Sequence, residues 1–131
     1  MKCEPARGRR RHRRVEAARC ETDDAAEQQL ELAERQKIYA DTVKIQEELT
    51  GRGQYLHGHP LYPSSAATSV RVRDGKRLVT DGPFAETREQ LGGFMLIDVR
   101  DLDEAIGIAA RIPLARTSTV EVRPVRDGAP R

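Results

Sequence analysis

Residues 68–99 read TSVRVRDGKRLVTDGPFAETREQLGGFMLIDV, and the fold class turns on them. Val70 and Val72 alternate with Arg71 and Arg73, the two-residue period of a half-exposed strand. Asp74-Gly75 follows, a tight-turn pair, because glycine accepts the positive φ such turns demand. Leu78 and Val79 return in the second strand of that hairpin. GFMLIDV at 93–99 is nearly continuous apolar sequence, which suits a central strand covered on both faces. Between hairpin and strand lies a loop in which Asp81, a Gly-Pro pair and a Gly-Gly pair flank a polar segment.

Working outward, residues 23–49 are rich in Ala, Glu, Gln, Leu and Lys, all good helix formers. Ile38, Thr42, Ile45 and Leu49 step by four, three and four along one stripe, and Gly51 ends the segment. This stripe is expected to pack on a sheet. GQYLHGHPL at 53–61 reads as a short strand stopped by Pro60 and Pro63. DLDEAIGIAARIP at 101–113 is a second helix, with Asp101 as cap, Glu104 three residues on, and Pro113 as its stop. Its expected buried face is Leu102, Ala105, Ile106 and Ala109. TVEVRPV at 119–125 alternates again and makes a last strand. The order helix, strand, hairpin, strand, helix, strand predicts an α+β sandwich with helices gathered on one face of an antiparallel sheet.

The chain has 131 residues, a size that fits one domain, and only 4% of them are aromatic, so its core must be aliphatic and thin. The formal net charge is +2, with arginines crowded at the start in RGRRRHRR at 7–14. We read residues 1–22 as a basic, disordered arm, 23–126 as the domain, and 127–131 as a tail. No aromatic residue interleaves the arginines, so the arm lacks a stacking platform and the pattern argues against nucleic acid as a partner. Cys3 and Cys20 match neither a disulfide framework nor a zinc spacing, which suits free thiols in a cytoplasmic protein. No apolar run approaches a signal-peptide core or a membrane span, so no membrane association is expected.

VRVRDGKRLVTDGPFAETREQLGGFMLIDV, followed by DLDEAIGIAARIP and TVEVRPV, closely resembles the YCII-related family in its DGPF-domain subfamily. The likeness runs from about Gln54 to Val125. It implies a ferredoxin-like α+β fold, a homodimer of the dimeric α+β barrel type, and a cleft lined by the DGPF segment. Relatives include a dehydrochlorinase acting on a chlorinated hydroxyquinol, while most members have no assigned reaction. The resemblance also implies a link to extracytoplasmic-function sigma factors. Family members open with an apolar strand, whereas here KCEPARGRRRHRRVEAARC stands in its place. The expectation is therefore a first strand missing or replaced, as a frameshift or displaced start codon would leave it.

Asp81 sits on a turn whose far flank Pro83 fixes, so it is the candidate catalytic carboxylate, with an Asx-turn as its structural alternative. Gly82, Pro83, Phe84, Glu86 and Arg88 are candidate ligand-binding residues around it. His57 and His59 share one face of a strand and are weaker catalytic candidates beside Asp81, since catalytic relatives carry their histidine near the start of the first helix. No third or fourth ligand completes a metal site, and no cofactor is implied. These readings point to a domain that binds or transforms a small polar or aromatic metabolite. The other reading is a non-catalytic regulatory module working through a sigma factor.

Overall fold

The computed structural model describes residues 14–84 and 87–126. Strand β1 (Arg14–Thr22) leads into a short helix α1 (Asp24–Gln29) and the long helix α2 (Leu32–Gly51). Strands β2 (Tyr55–Pro60), β3 (Thr68–Arg73), β4 (Lys76–Asp81) and β5 (Gln90–Val99) follow, then helix α3 (Leu102–Arg111) and strand β6 (Thr119–Pro124). Four strands form one antiparallel sheet in the order β2-β5-β1-β6, and β3-β4 form a separate two-stranded sheet. This order is compatible with a ferredoxin-like α+β fold in which the β3-β4 hairpin is an insertion.

The first strand is present, which corrects the expectation that it is missing. Arg14 to Thr22 pair with β5 on one side and β6 on the other, so β1 is a central strand. Residues 14–22 are thus part of the fold; the rest of the basic stretch, with Cys3, lies outside the described residues. The strand escapes a search for hydrophobic runs because its inward positions are Glu16, Ala18, Cys20 and Thr22, all buried. Small and polar side chains occupy them, and backbone pairing on both edges supplies what hydrophobicity does not.

Ala18 and Cys20 from β1 meet Met95, Ile97 and Val99 from β5, Ile45 and Leu49 from α2, and Ala105, Ile108 and Ile112 at α3 to form the core. Strand β5 is buried on this face alone; Phe94, Leu96 and Asp98 on its other face stay half-exposed, so it is not covered on both sides as its composition suggests. The Asp101 carboxylate accepts from Glu104 N–H (2.9 Å), as the cap pattern predicts. The buried face of α3 is Ala105, Ile108 and Ala109, and Leu102 and Ile106 are exposed. The expected stripe is therefore rotated. The two stripes share Ala105 and Ala109, and only the contact with the sheet decides between them.

The predicted long helix divides at Leu30 and Glu31 into α1 and α2, with the Asp23 carboxylate accepting from Ala25 and Ala26 N–H. Only the second half of α2 is anchored. Ile45 and Leu49 are buried there, and the Glu48 carboxylate holds Arg52 (2.7 Å) and both terminal nitrogens of Arg111 on α3. Those guanidinium partners, Arg111 foremost, hold the Glu48 carboxyl below its ordinary range.

Glu16 is fully buried between Ile97 and Pro124 on neighbouring strands. It lies within ion-pair range of Arg14, yet neither carboxylate oxygen accepts a hydrogen bond among the described residues. Such a group costs stability that an aliphatic side chain of similar volume would not. Glu16→Leu is expected to stabilise the protein by about 1–3 kcal/mol in urea unfolding. Equal or lower stability of the variant would show that the ion pair with Arg14 offsets the burial of the carboxylate.

Candidate functional site

The helix-facing side of the sheet is not level. Across β1, β5 and β2, one row holds Glu16, Ile97 and Tyr55, the next Ala18, Met95 and Gly58, and the third Cys20, Gly93 and Pro60. Side-chain bulk falls away along these rows toward the C-terminal end of β1. Close approach sets the glycines: a Cβ on Gly58 would stand 2.5 Å from the Phe94 backbone oxygen, one on Gly93 3.1 Å from that of His59, and one on Gly92 2.5 Å from the Thr22 side chain. The middle of α2, from Ile38 to Gln46, passes over this lowered floor.

The result is a cavity of about 350 Å³ between α2 and the sheet. Its floor is Cys20, Thr22, Gly58, Gly93 and Met95, and its roof is Ile38, Thr42, Val43 and Gln46. Arg35, Tyr39 and Tyr62, all exposed, stand at its rim, while Ile112 and Leu114 extend the apolar wall. Asp24 borders it too, and its carboxylate accepts from Ser64 N–H (2.9 Å) and from the Ser64 hydroxyl, pinning the 61–67 loop at the edge. Arg35 makes no ion pair among the described residues.

The sequence candidates separate in space. His59 borders the cavity, but it pairs with Phe94 in register, and its ring, edge-on to His57 at 4.7 Å and 6.3 Å from Phe94, lies on the other face of the sheet. His57 pairs with Leu96 in register, is exposed, and does not line the cavity. Asp81 ends β4, exposed and opposite Thr68, and also lies outside the lining. Gly82 takes φ of 95°, donates its N–H to Ala67 O (2.7 Å), and accepts from the Ser69 hydroxyl (2.7 Å). Its place in the loop is therefore a backbone requirement. Pro83 is exposed, and Phe84 is exposed with the Arg71 guanidinium 4.4 Å above its ring. Arg88 reaches Asp23 at 3.5 Å, at the cap of α1. Glu86 lies outside the described residues.

Arg35, Tyr39 and Tyr62 had no signal of their own in the sequence. Gly92 and Gly93 did, because paired glycines before a strand mark close backbone approach. Among the described residues, no three His, Cys, Asp or Glu side chains gather to hold a metal ion, and no helix is long and apolar enough to cross a membrane.

This architecture coincides with a known family. Residues 17–128 match the YCII-related domain, from within β1 through β6. The chain is also 37% identical over 111 residues to an uncharacterised protein of Rhizobium meliloti (strain 1021), an alignment covering 83% of this chain and 90% of that protein. The protein belongs to the YCII-related family. The match begins well upstream of Gln54, so it takes in both α1 and α2 as well as most of the strand that the sequence reading left out.

Cys20, on the cavity floor, is a free thiol that burial, with a smaller contribution from the Glu21 carboxylate, pushes from 9.0 up to about 11. The folded protein therefore keeps a proton there that the unfolded chain gives up above pH 9. Stability contributed by the neutral thiol is complete below pH 9 and is lost as pH rises through 11. Burial raises Tyr55 as well, in the same direction. Between pH 8.5 and 11 the wild type is expected to lose about 2 kcal/mol more stability than Cys20→Ala in urea titrations. Parallel losses would refute the shift.

Proposed function

We propose that this YCII-related protein is a homodimer that binds a small molecule in the cavity between α2 and the sheet. The lowered floor of Cys20, Thr22, Gly58 and Gly93 carries the reading, because it leaves space beneath the middle of α2. A volume of about 350 Å³ lies at the small end of ligand pockets, which run from about 300 Å³ upward. An apolar body fits between Met95, Ile38 and Ile112, with a polar end directed at Arg35 or Tyr39. This favours a small aromatic or aliphatic compound bearing one polar or anionic group. The seat is this cavity, with the Asp81–Phe84 loop outside it.

The homodimer follows from uncovered surface. Phe94, Leu96 and Ala17 lie half-exposed on the outer face of the sheet, and the β3-β4 hairpin packs against no core. A thin aliphatic core leaves little stability to spare for such surface. The free Cys20 thiol agrees with a cytoplasmic setting.

A thermal-shift screen of small aromatic and aliphatic acids, alcohols and phenols on the full chain, followed by calorimetry, tests the ligand site. Val43→Phe fills the roof and should lower affinity for any hit at least about tenfold, the loss of roughly 1.4 kcal/mol. Asp81→Asn should leave that affinity within about twofold. The reverse outcome, affinity lost with Asp81→Asn and kept with Val43→Phe, would move the site to the loop and overturn the cavity assignment.

A further inference from the structure

Strands β3 and β4 form a hairpin that stands by itself. Val70, Val72 and Val79 are 60%, 62% and 59% exposed, and they share one face through the pairs Val70↔Val79 and Val72↔Arg77. A lone two-stranded hairpin is marginal in water, and an unpaired edge carrying apolar side chains is an open template for another strand. Arg71, Arg73, Lys76 and Arg77 make no ion pair with an acid among the described residues.

The backbone phase of β4 is set by its own ladder. Asp74 (φ 51°) and Gly75 (φ 70°) make a two-residue turn that closes on the Arg73↔Lys76 pair. At the other end Gly82 N–H donates to Ala67 O, in phase with that pair. Lys76, Leu78 and Thr80 therefore direct their N–H and C=O groups at β3. Arg77, Val79 and Asp81 direct theirs outward, from the free edge.

From this geometry we propose that two copies of the chain join β4 to β4, antiparallel, about a two-fold axis at Val79. A two-fold axis normal to a sheet keeps every residue on its own face, so only even register sums are open to such a pair. Of these symmetric registers, the one centred on Val79 alone sets Arg77 opposite Asp81 of the second copy. It does so twice, once on each side of the axis. Val79 then lies against Val79 of the second copy, and the outward N–H and C=O groups of all three residues find partners. The valines of both copies come side by side across a four-stranded arm. Centring β3 on its own Val70 offers no such charge match, since Thr68 would then face Val72. The contact is isologous strand addition, in which main-chain bonds supply the affinity and the Arg77–Asp81 pairs fix the register. It also assigns the motif aspartate a role between subunits.

This inference rests on the homodimer reading and names the surface that makes it. Sedimentation of the full chain at micromolar concentration tests both. The wild type should be a dimer. Arg77→Asp, and separately Asp81→Arg, each set like charges opposite one another at two symmetric places, and each should raise the dissociation constant at least about tenfold. The combined exchange R77D/D81R restores opposite charges and should return the constant to within about threefold of wild type. Both residues are exposed, and circular dichroism with thermal melting checks that every variant folds. A wild-type dimer indifferent to both single reversals would overturn the strand pairing while leaving the homodimer standing. A folded double exchange that stays dissociated would also overturn the pairing. A wild-type monomer would overturn both readings.

Discussion

The two-sided pairing of β1 is the constraint on which the molecule depends. Without it β5 and β6 would each lose a ladder, and the four-stranded sheet would fall into two pieces. Nothing in the side chains of Arg14–Thr22 advertises this position: of its four inward residues, one is an acid and one a threonine. The strand is held because every N–H and C=O in the middle of a sheet must find a partner away from water. Backbone bonding here outweighs the desolvation of Glu16, a cost of a few kcal/mol against nine residues of strand.

The same economy of side chains on β1 produces the cavity. Had Cys20 and Thr22 been large aliphatic residues, the first half of α2 would have packed down as Ile45 and Leu49 do in the second. A weak strand in terms of hydrophobicity is thus the source of a large space between α2 and the sheet. The neighbouring strands contribute to it in kind, with Gly58 and Gly93 where a side chain would strike backbone.

What the sequence disclosed was local. The Asp74-Gly75 turn, the Asp101 cap and the alternation of Val70 with Val72 each depend on a few adjacent residues, and each is where it was expected. The phase of α3 was not legible, because Leu102–Ile106 and Ile108–Ile112 are equally good stripes until a sheet chooses one. Strand β1 was not legible, because the reading sought apolar residues and the strand is specified by pairing. The cavity was hidden for a related reason: it consists of side chains that are absent from three strands at once, and only register brings those absences together. In the loop at Asp81 the glycine has a local task, since Gly82 serves a turn whose bonds run to Ala67 and Ser69.

Helix α2 is fastened like a cantilever. Ile45, Leu49 and the Glu48–Arg111 clamp fix its C-terminal half to both the sheet and α3, while Arg35, Ile38 and Tyr39 stand over the cavity in its first half. A beam supported at one end bends at its free end with little strain at the support. Movement of the first turns of α2, near Arg35 and Tyr39, would leave Ile45 and Leu49 with their neighbours, and the loop that Asp24 ties to Ser64 borders the same end of the cavity. Binding and folding thus share a single helix: Ile38, Thr42, Val43 and Gln46 roof the cavity, while Ile45 and Leu49, interleaved with the last of them, hold the domain together.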